Sequence, residues 1–214
     1  MADIISSKEQ DLKAIAVCHK NAFPTALSSA MGIQFVTRML DWYLVNDHAF
    51  LFHLEVDGKV IGYCGGIKVD GTQATGSASG MAQHSFGAAV SAFLKKPWLL
   101  FHREIRRKYK LIGRNILYKL KFANPGNNTP ISEVPLLPHV GLVVIGIDPD
   151  FQGQGYSRRI LEEFETQGKL LGANSLRLTV LSNNTRAINA YKKSGWKISL
   201  INETSVSMFK IVAE

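Results

Sequence analysis

The spacing of apolar residues predicts two helices and a pair of strands in the first 70 positions. Apolar side chains recur at helical spacing from Leu12 until Pro24. The preceding Ser7-Lys8-Glu9-Gln10 has the Ser-x-x-Gln form of a capping box, which predicts a helix start. A second stripe with the same period predicts a helix over residues 29–45. We expect one amino-terminal strand before these helices.

Two apolar runs, 49–56 and 59–69, are joined by Asp57-Gly58. An Asp-Gly pair between apolar runs is a strong signal for a two-residue hairpin turn, so these runs are predicted to be antiparallel strands. The second strand contains Gly62, Gly65 and Gly66. Glycines inside a strand indicate a bulge or a close approach of another group to the backbone.

In the carboxy-terminal part, segments with the apolar spacing of strands alternate with segments that have the apolar spacing of helices. Residues 140–147 are apolar on both faces, which predicts a buried strand, and an amphipathic helix follows Gly155. A strand is expected over 175–181, then a helix over 185–194 that Asn184 caps and Gly195 ends. Two final strands, 197–201 and 205–212, read as a closing hairpin. The predicted order is therefore β-α-α-β-β, an inserted segment, and β-α-β-α-β-β.

The inserted segment, residues 70–137, differs in composition from the rest. It is predicted to begin as a loop of small residues over 70–81, to continue as basic helix over 84–122, and to return through a proline-rich linker over 123–138. Residues 95–121 hold ten Lys or Arg and one acid, Glu104, while the whole chain carries +8. The remainder is close to neutral, so the high isoelectric point is not a property of the whole surface.

Composition narrows the class of protein. A chain of 214 residues suits one domain, 1–214, with the insert inside it. Cys18 and Cys64 are unclustered, which argues against a disulfide framework and a zinc site. Neither a secretory signal nor a membrane span is recognisable, so a cytoplasmic location is the expectation.

The most specific chemistry follows the strand 140–147. Asp148-Pro149 ends that strand, Gly153 and Gly155 follow, and a helix begins. Unpaired N–H groups at a helix start bind anions, and glycines let a ligand approach the backbone. The spacing fits neither the dinucleotide fingerprint nor the P-loop. The alternative is an ordinary glycine turn before a helix.

Two segments carry a resemblance to a known family. Gln152-Gly153-Gln154-Gly155-Tyr156-Ser157 resembles the Arg/Gln-x-x-Gly-x-Gly/Ala loop of the GNAT superfamily of acyl-CoA N-acetyltransferases, with Ser157 in place of the last Gly or Ala. Residues 184–196 resemble its second motif, Asn-x-x-Ala followed by an aromatic residue before Gly and a second aromatic. The resemblance covers about 1–70 and 138–214, and it implies an α/β fold with a twisted mixed sheet flanked by helices.

The resemblance also implies a donor site for acetyl-CoA as cosubstrate, with no metal. Tyr191 would be the general acid for the leaving thiolate, although it also fits a core position of its helix. Asn184 would bond the pantetheine arm or simply cap the helix. The exposed backbone of the strand would pair with the pantetheine amides, and the glycine loop would hold the pyrophosphate. The implied cofactor-binding residues are Ile145, Gly146, Ile147, Gln152, Gly153, Gln154, Gly155, Tyr156, Ser157, Asn184, Ala187 and Tyr191.

The general base is less defined. Several relatives place a Glu on this strand, where Gly141 stands here, and His139 lies two residues earlier on the same face. His139 is the candidate base; a half-buried or surface histidine is the alternative. Weaker candidates are Glu133, His84, Tyr63 and Glu55, and deprotonation through solvent is a further alternative.

The function implied is acetyl transfer to a primary amine of a small molecule, such as an amino sugar or a nucleotide- or lipid-linked sugar. The insert could form a cationic wall for a phosphorylated acceptor, contact an anionic membrane through 95–121, bind nucleic acid, or merely cover the core; nucleic acid is the least favoured. Rival functions are a protein or peptide N-acetyltransferase and a catalytically silent acyl-CoA-binding, membrane-associated module. A monomer and a homodimer both fit.

Overall fold

The computed structural model of the chain describes residues 2–70, 77–106 and 138–212. Seven strands form one sheet: β1 Ala2–Ser6, β2 Ala49–Val56, β3 Lys59–Val69, β4 His139–Ile147, β5 Ser175–Leu181, β6 Lys197–Ile201 and β7 Ser205–Ile211. The named helices are α1 Leu12–Ala22, α2 Leu27–Met31, α3 Ile33–Val45, α4 Ser77–His84, α5 Phe86–Lys95, α6 Tyr156–Leu170 and α7 Thr185–Lys193. Short 3₁₀ segments cover Glu9–Asp11, Pro97–Phe101 and Pro149–Phe151.

The sheet is mixed, as expected. Its strand order is β1-β2-β3-β4-β5-β7-β6. The pair β4–β5 is parallel, and the other neighbouring pairs are antiparallel. The predicted α/β class with a mixed sheet and flanking helices is confirmed.

Helices cover both faces of the sheet, and each face has its own core. On one face α6 buries Ile160 and Phe164 against the sheet. On the other face α1 and α3 bury Ile15, Leu40 and Tyr43. Burial of these apolar side chains is the main favourable term that holds the helices on the sheet.

The strand β4 separates from β5 beyond its first half. On β4, only the residues from Val140 to Leu142 have register partners on β5, whereas β3 continues to pair with β4 as far as Ile147. A bulge accompanies the separation, because Gly65 and Gly66 of β3 oppose Val144 and Leu142, which leaves Val143 as the extra residue. In the described sheet, one edge of β4 from Val143 onward is thus left without a strand partner.

The predicted glycine contacts in β3 are present. A Cβ on Gly65 would lie 2.7 Å from the ring of Tyr43, and one on Gly62 would lie 2.7 Å from Ile160. Real Cβ atoms do not approach that closely, so these positions need glycine to let the helices pack on the strand. The hairpin bounds 49–56 and 59–69 agree with the prediction.

The expected capping box at Ser7 is wrong. The Ser7 hydroxyl is hydrogen-bonded to Nδ1 of His53 at 2.9 Å, on the neighbouring strand. The N-cap residue is Lys8, and Asp11 has the part expected of Gln10, since its carboxylate accepts from the backbone N–H of Lys8 at 2.8 Å. The partner of Ser7, His53, lies 46 residues away in the sequence, so the local pattern does not indicate it. Its hydrogen bond occupies the hydroxyl that the capping box would need.

Two further boundaries are corrected. The helix expected over 29–45 is two helices, α2 and α3, that meet at Gly32 with φ = 110°. That backbone region favours glycine and interrupts a helix. The loop expected over 70–81 is helical from Ser77. Residues 71–76 lie outside the described part.

The insert is described as far as residue 106. The basic helix expected over 84–122 is broken there, because α5 ends at Lys95 and a 3₁₀ segment begins at Pro97. The remaining helical prediction, the linker expected over 123–138 apart from Pro138, and Glu133 fall outside the described residues. The single-domain assignment 1–214 stays a prediction. In the described ranges, none of the helices combines the length and the apolar character that a bilayer crossing requires.

Candidate functional site

The glycine loop joins the end of β4 to the start of α6 in an open conformation. Gly153 and Gly155 have φ = 81° and 86°, and apart from their chain neighbours no heavy atom lies within 4 Å of where a Cβ would stand on either. Gly155 is the residue that precedes the first turn of α6. The first backbone N–H groups of a helix lack partners within the helix and sit at its positive dipole end. The loop therefore leaves room for an anion against these donors.

Asp148 fixes the beginning of this loop. The residue is 2% exposed; one carboxylate oxygen accepts from Nδ2 of Asn21 in α1 at 3.0 Å, and the other accepts from the backbone N–H of Asp150 at 3.2 Å. The ammonium of Lys59 lies 3.6 Å away. Burial opposes ionisation, but these hydrogen bonds and the lysine outweigh it and lower the pKa of the carboxyl. The carboxylate thus holds the loop to α1 and β3.

Gln152 ties the loop to α7. Its Nε2 donates to the carbonyl of Ile147 at 3.0 Å, and its Oε1 accepts from Nη1 of Arg186 at 2.6 Å. The two contacts use both ends of the side-chain amide. Arg186 is thereby held beside the glycine loop, with other guanidinium N–H groups available for a ligand.

A cavity of about 350 Å³ lies between β4, the glycine loop, α1 and α7. Nine of the predicted residues line it: Ile145, Gly146, Ile147, Gln152, Gly153, Ser157, Asn184, Ala187 and Tyr191. Its wall also includes Ala22, Phe23, Leu161, Arg186 and Ala190. Gln154, Gly155 and Tyr156 belong to the loop and the helix start but do not line the cavity. Among the described lining residues, Arg186 carries the formal charge.

Tyr191 stands in the last turn of α7 at the wall of this cavity. The residue is 7% exposed, and its ring lies 6.0 Å from that of Trp196. Burial, with a smaller contribution from the nearby Cys64, raises the pKa of the Tyr191 hydroxyl. The hydroxyl is therefore protonated at neutral pH and can donate a proton.

Asn184 caps α7 as predicted. Its Oδ1 accepts from the backbone N–H of Ala187 at 3.2 Å. The cap satisfies one of the unpaired donors of the first turn and fixes where α7 starts. Since Asn184 and Ala187 both line the cavity, the cap also sets one of its walls.

A second, larger cavity lies along the first half of β4. Its volume is about 1080 Å³, and its wall includes His139, Gly141 and Val143 together with Arg177 of β5. His139, which is 9% exposed, is therefore placed in a different cavity from Tyr191. Both cavities are lined by β4: Val143 lines the second cavity, and Ile145, two residues further along the strand, lines the first.

The second cavity has one guanidinium, that of Arg177, in its described wall. The described residues of its wall include no Asp or Glu. Polar groups come from Asn174, Ser175, Thr179, Ser199 and Ser207. Such a wall offers hydrogen bonds and one guanidinium to a polar ligand.

A buried polar network lies on the α1 side of β4. His19 is hydrogen-bonded through Nδ1 to the hydroxyl of Tyr63 at 2.5 Å and through Nε2 to that of Ser28 at 2.9 Å. Burial lowers the pKa of His19 to about 4, so the imidazole is neutral at neutral pH. The Tyr63 ring packs under Gly146, where an added Cβ would lie 2.6 Å from it.

Two other base candidates, His84 and Glu55, are not among the residues that line the donor cavity. His84 is hydrogen-bonded to Asp41 at 2.9 Å between α4 and α3. Glu55 contacts the buried His53 at 3.3 Å. Sequence reasoning missed Arg186, although it belongs to the quoted second motif, and missed the link between His19 and Tyr63. The position of a cation two residues after a helix cap, near a predicted anion loop, is the signal that could have indicated Arg186.

Comparison with known proteins gives three kinds of match. The family model for the acetyltransferase (GNAT) family matches residues 100–196. A mycothiol acetyltransferase from Propionibacterium freudenreichii subsp. shermanii is 29% identical over 70 residues, which cover 33% of this chain and 22% of that protein. The chain thus matches less than a quarter of the length of this curated relative.

Solved structures share the fold over their full length. The ribosomal-protein-S18-alanine N-acetyltransferase from Escherichia coli has a TM-score of 0.56 at 16% identity, covering 100% of this chain and 96% of that chain. The PaiA N-acetyltransferase from Thermoplasma acidophilum, solved in complex with coenzyme A, has a TM-score of 0.57 at 12% identity, covering 99% of both. At these identities the similarity supports the fold alone.

Proposed function

We propose that the chain, which matches the GNAT family model over residues 100–196, is an acetyltransferase that transfers the acetyl group of acetyl-CoA to a primary amine of a small molecule. The observation that carries this proposal is the cavity of about 350 Å³ between the open glycine loop, the free edge of β4 and Tyr191. One cavity thus combines donors for a diphosphate, an edge for an extended amide chain, and a proton donor.

The residues of this cavity fit the acetyl donor. The open space above Gly153 and Gly155, beside the first turn of α6, suits a pyrophosphate. The unpaired edge of β4 from Val143 to Ile147 suits the pantetheine amides, which would pair with it as an added strand does. Arg186 adds a cation at the mouth. When bound, acetyl-CoA supplies an acyl group activated as a thioester.

Tyr191 holds the proton that the transfer needs on the donor side. Its hydroxyl is protonated at neutral pH, and the residue lines the same cavity as Ile145 and Gly146. A positioned proton donor contributes about 10²-fold to 10⁴-fold in rate. In this proposal Tyr191 is the general acid that protonates the departing thiolate of coenzyme A.

The amine must lose a proton before or during attack, and the second cavity contains the candidate acceptor of that proton. His139 lines this cavity together with Gly141 and Val143. It lies four residues before Val143, or about 13 Å along an extended strand. Transfer from an amine at the bulge to His139 would therefore pass through water, which agrees with the solvent-mediated alternative.

The acceptor proposed is an amino sugar, with a phosphate or nucleotide group as the feature that the protein recognises. Support comes from the second cavity, whose described wall has hydroxyl and amide groups, Arg177, and no carboxylate. A guanidinium binds phosphate through paired hydrogen bonds, and hydroxyl groups match those of a sugar.

The experiment is a thiol-release screen with acetyl-CoA against free amino sugars, nucleotide-linked amino sugars, polyamines and peptides. We expect release with the phosphorylated amino sugars. Arg177→Ala should raise KM for such an acceptor about tenfold and leave KM for acetyl-CoA unchanged, because a hydrogen bond to a charged group contributes about 1.5–3 kcal/mol. Calorimetry without detectable coenzyme A binding would contradict the proposal at its first step.

Two rival functions have distinct results in the same screen. Release with peptides but not with sugars would indicate a protein N-acetyltransferase, the activity named for the Escherichia coli neighbour. Tight coenzyme A binding with no release across the panel would indicate a silent binding module. Arg177 and the absence of Asp and Glu from the described wall of the second cavity favour an acceptor that carries an anionic phosphate, which an ordinary peptide amine does not offer.

A further inference from the structure

The helix α5 exposes apolar side chains on its outer face. Phe86, Val90 and Leu94 recur every four residues and are 67%, 41% and 79% exposed. Ala92, on the inner face, is 8% exposed. Residues four apart lie on the same side of a helix, so these three side chains form one outward stripe.

The 3₁₀ segment Pro97–Phe101, which contacts α5, also exposes apolar side chains. Trp98 and Phe101 are three residues apart and are 62% and 74% exposed, whereas Leu99 between them is 3% exposed. Side chains three apart lie on the same side of a 3₁₀ helix. We call Phe86, Val90, Leu94, Trp98 and Phe101 the apolar ridge. A group of exposed large apolar side chains marks an interaction surface in a folded protein.

Basic side chains border the apolar ridge. Lys95, Arg103 and Arg106 are exposed, and none forms an ion pair with a carboxylate in the described ranges. Glu104, the one acid of residues 95–121, accepts a hydrogen bond from the backbone N–H of Leu27 at 2.9 Å. The surface beside the ridge therefore has positive charges that are available to an anionic partner.

The segment is fixed to the body of the protein on both sides of the 3₁₀ segment. The ammonium of Lys96 donates to the carbonyl of Ala30 at 2.9 Å, and Glu104 accepts from Leu27. The two contacts hold opposite ends of α2. The segment that carries the ridge is thus anchored to α2 and is not a freely moving tail.

We infer that the apolar ridge is a membrane-contact surface that lies on an anionic phospholipid bilayer. The large apolar side chains would enter the boundary between headgroups and acyl chains, and Lys95, Arg103 and Arg106 would contact the phosphates. Apolar side chains with Trp, bordered by Lys and Arg, are the combination that binds this interface. The contact is separate from acetyl transfer and can be measured without acetyl-CoA.

Tryptophan fluorescence gives a direct test. Of the three tryptophans, Trp42 and Trp196 are 5% and 2% exposed, so Trp98 reports on the surface. Adding vesicles of phosphatidylcholine with phosphatidylglycerol should shift its emission to shorter wavelength, and brominated lipid should quench it. Vesicles of phosphatidylcholine alone should have little effect. Trp98→Phe should remove the response, because the two buried tryptophans stay away from the lipid.

Vesicle sedimentation separates the apolar and the basic contributions. Leu94→Asp should weaken binding at least tenfold, whereas Leu170→Asp, at a leucine that is 75% exposed at the end of α6, should not. Replacing Lys95, Arg103 and Arg106 by Gln should weaken binding about 100-fold, at about fivefold per charge. The matched control replaces Lys13, Lys169 and Lys197 by Gln, which changes the net charge equally and should have a much smaller effect.

The inference is overturned by equal sedimentation with both kinds of vesicle, by an unchanged Trp98 spectrum on anionic vesicles, or by equal losses in the variants and their controls. It is also overturned if ultracentrifugation shows a concentration-dependent dimer that Leu94→Asp alone dissociates, because a second copy of the chain would then cover the ridge.

Discussion

Gln152 and Arg186 show how single side chains build the donor cavity. Gln152 uses one end of its amide on the Ile147 carbonyl and the other on the Arg186 guanidinium. Gln152 thus orients the Arg186 guanidinium, and the part of Gln152 in the site is not limited to direct contact with a ligand. Lysine could not replace Arg186 in full, since an ammonium lacks the planar fork that serves glutamine and phosphate together.

Tyr191 has the most direct consequence for the reaction. Tyr191→Phe removes the hydroxyl and keeps the ring against Trp196. We expect kcat to fall about 100-fold and KM for acetyl-CoA to change little, because a proton donor acts mainly in the transition state. Steady-state kinetics with the acceptor found in the screen measures this. Unchanged turnover in a folded variant that still binds coenzyme A would remove the role of Tyr191.

The contact between Arg186 and the ligand can be tested by changing the ligand as well as by changing the residue. Arg186→Ala should weaken coenzyme A binding about tenfold, as expected for one hydrogen bond to a charged group, and Arg186→Lys should weaken it less. Calorimetry is run in parallel with 3′-dephospho-coenzyme A. A loss with both ligands places Arg186 on the pyrophosphate, and a loss with coenzyme A alone places it on the 3′-phosphate. Equal affinities for variant and wild type would contradict a ligand contact.

At the scale of elements, the central strands depend on glycines that admit their neighbours. Gly65 of β3 lies under the Tyr43 ring of α3, and Gly146 of β4 lies over the Tyr63 ring. The sequence predicted such a close approach in β3 from the glycines alone. It did not predict the break at Gly32, because one glycine inside an apolar stripe is compatible with a continuous helix.

Gly65→Ala should destabilise the protein by about 1–3 kcal/mol, the usual cost of an extra methyl group in a packed core. The reason is that the new Cβ would lie 2.7 Å from the buried Tyr43 ring. The matched control is Gly87→Ala in α5, where no other heavy atom lies within 4 Å of the added Cβ. It should stabilise by up to about 1 kcal/mol through helix propensity. Urea unfolding compares the two, and a neutral Gly65→Ala would show that α3 can move away from β3.

At the scale of the whole molecule, two buried ionisable groups connect α1 to the sheet. His19 joins α1 to β3 through Tyr63, and Asp148 joins the end of β4 to Asn21 of α1. Both pKa values are lowered in the folded state, so each group binds protons more weakly when the protein is folded. Stability therefore decreases on acidification.

The pH dependence has a defined window. Burial lowers the pKa of His19 from 6.5 to about 4. The contribution of His19 to the free energy of unfolding is therefore fully present above pH 6.5, and it is lost as the pH falls from 6.5 to about 4. The decrease amounts to about 3 kcal/mol at most. Asp148 adds a further loss below its unfolded pKa of about 3.9. Urea unfolding from pH 8 to 4 should show a slope that His19→Gln reduces. An unchanged slope in that variant would assign the dependence to other groups.

The local features of this protein were predictable from its amino-acid sequence. The strand bounds of the Asp57-Gly58 hairpin, the Asn184 cap and the glycine loop follow from turn chemistry and periodicity within a few residues. The contacts between residues far apart in the sequence became known only from the folded chain. The contacts Arg186–Gln152 and His19–Tyr63 span 34 and 44 residues, and His139 and Tyr191 line different cavities. Side-chain meetings of this kind depend on how helices pack on the sheet, which local periodicity does not specify.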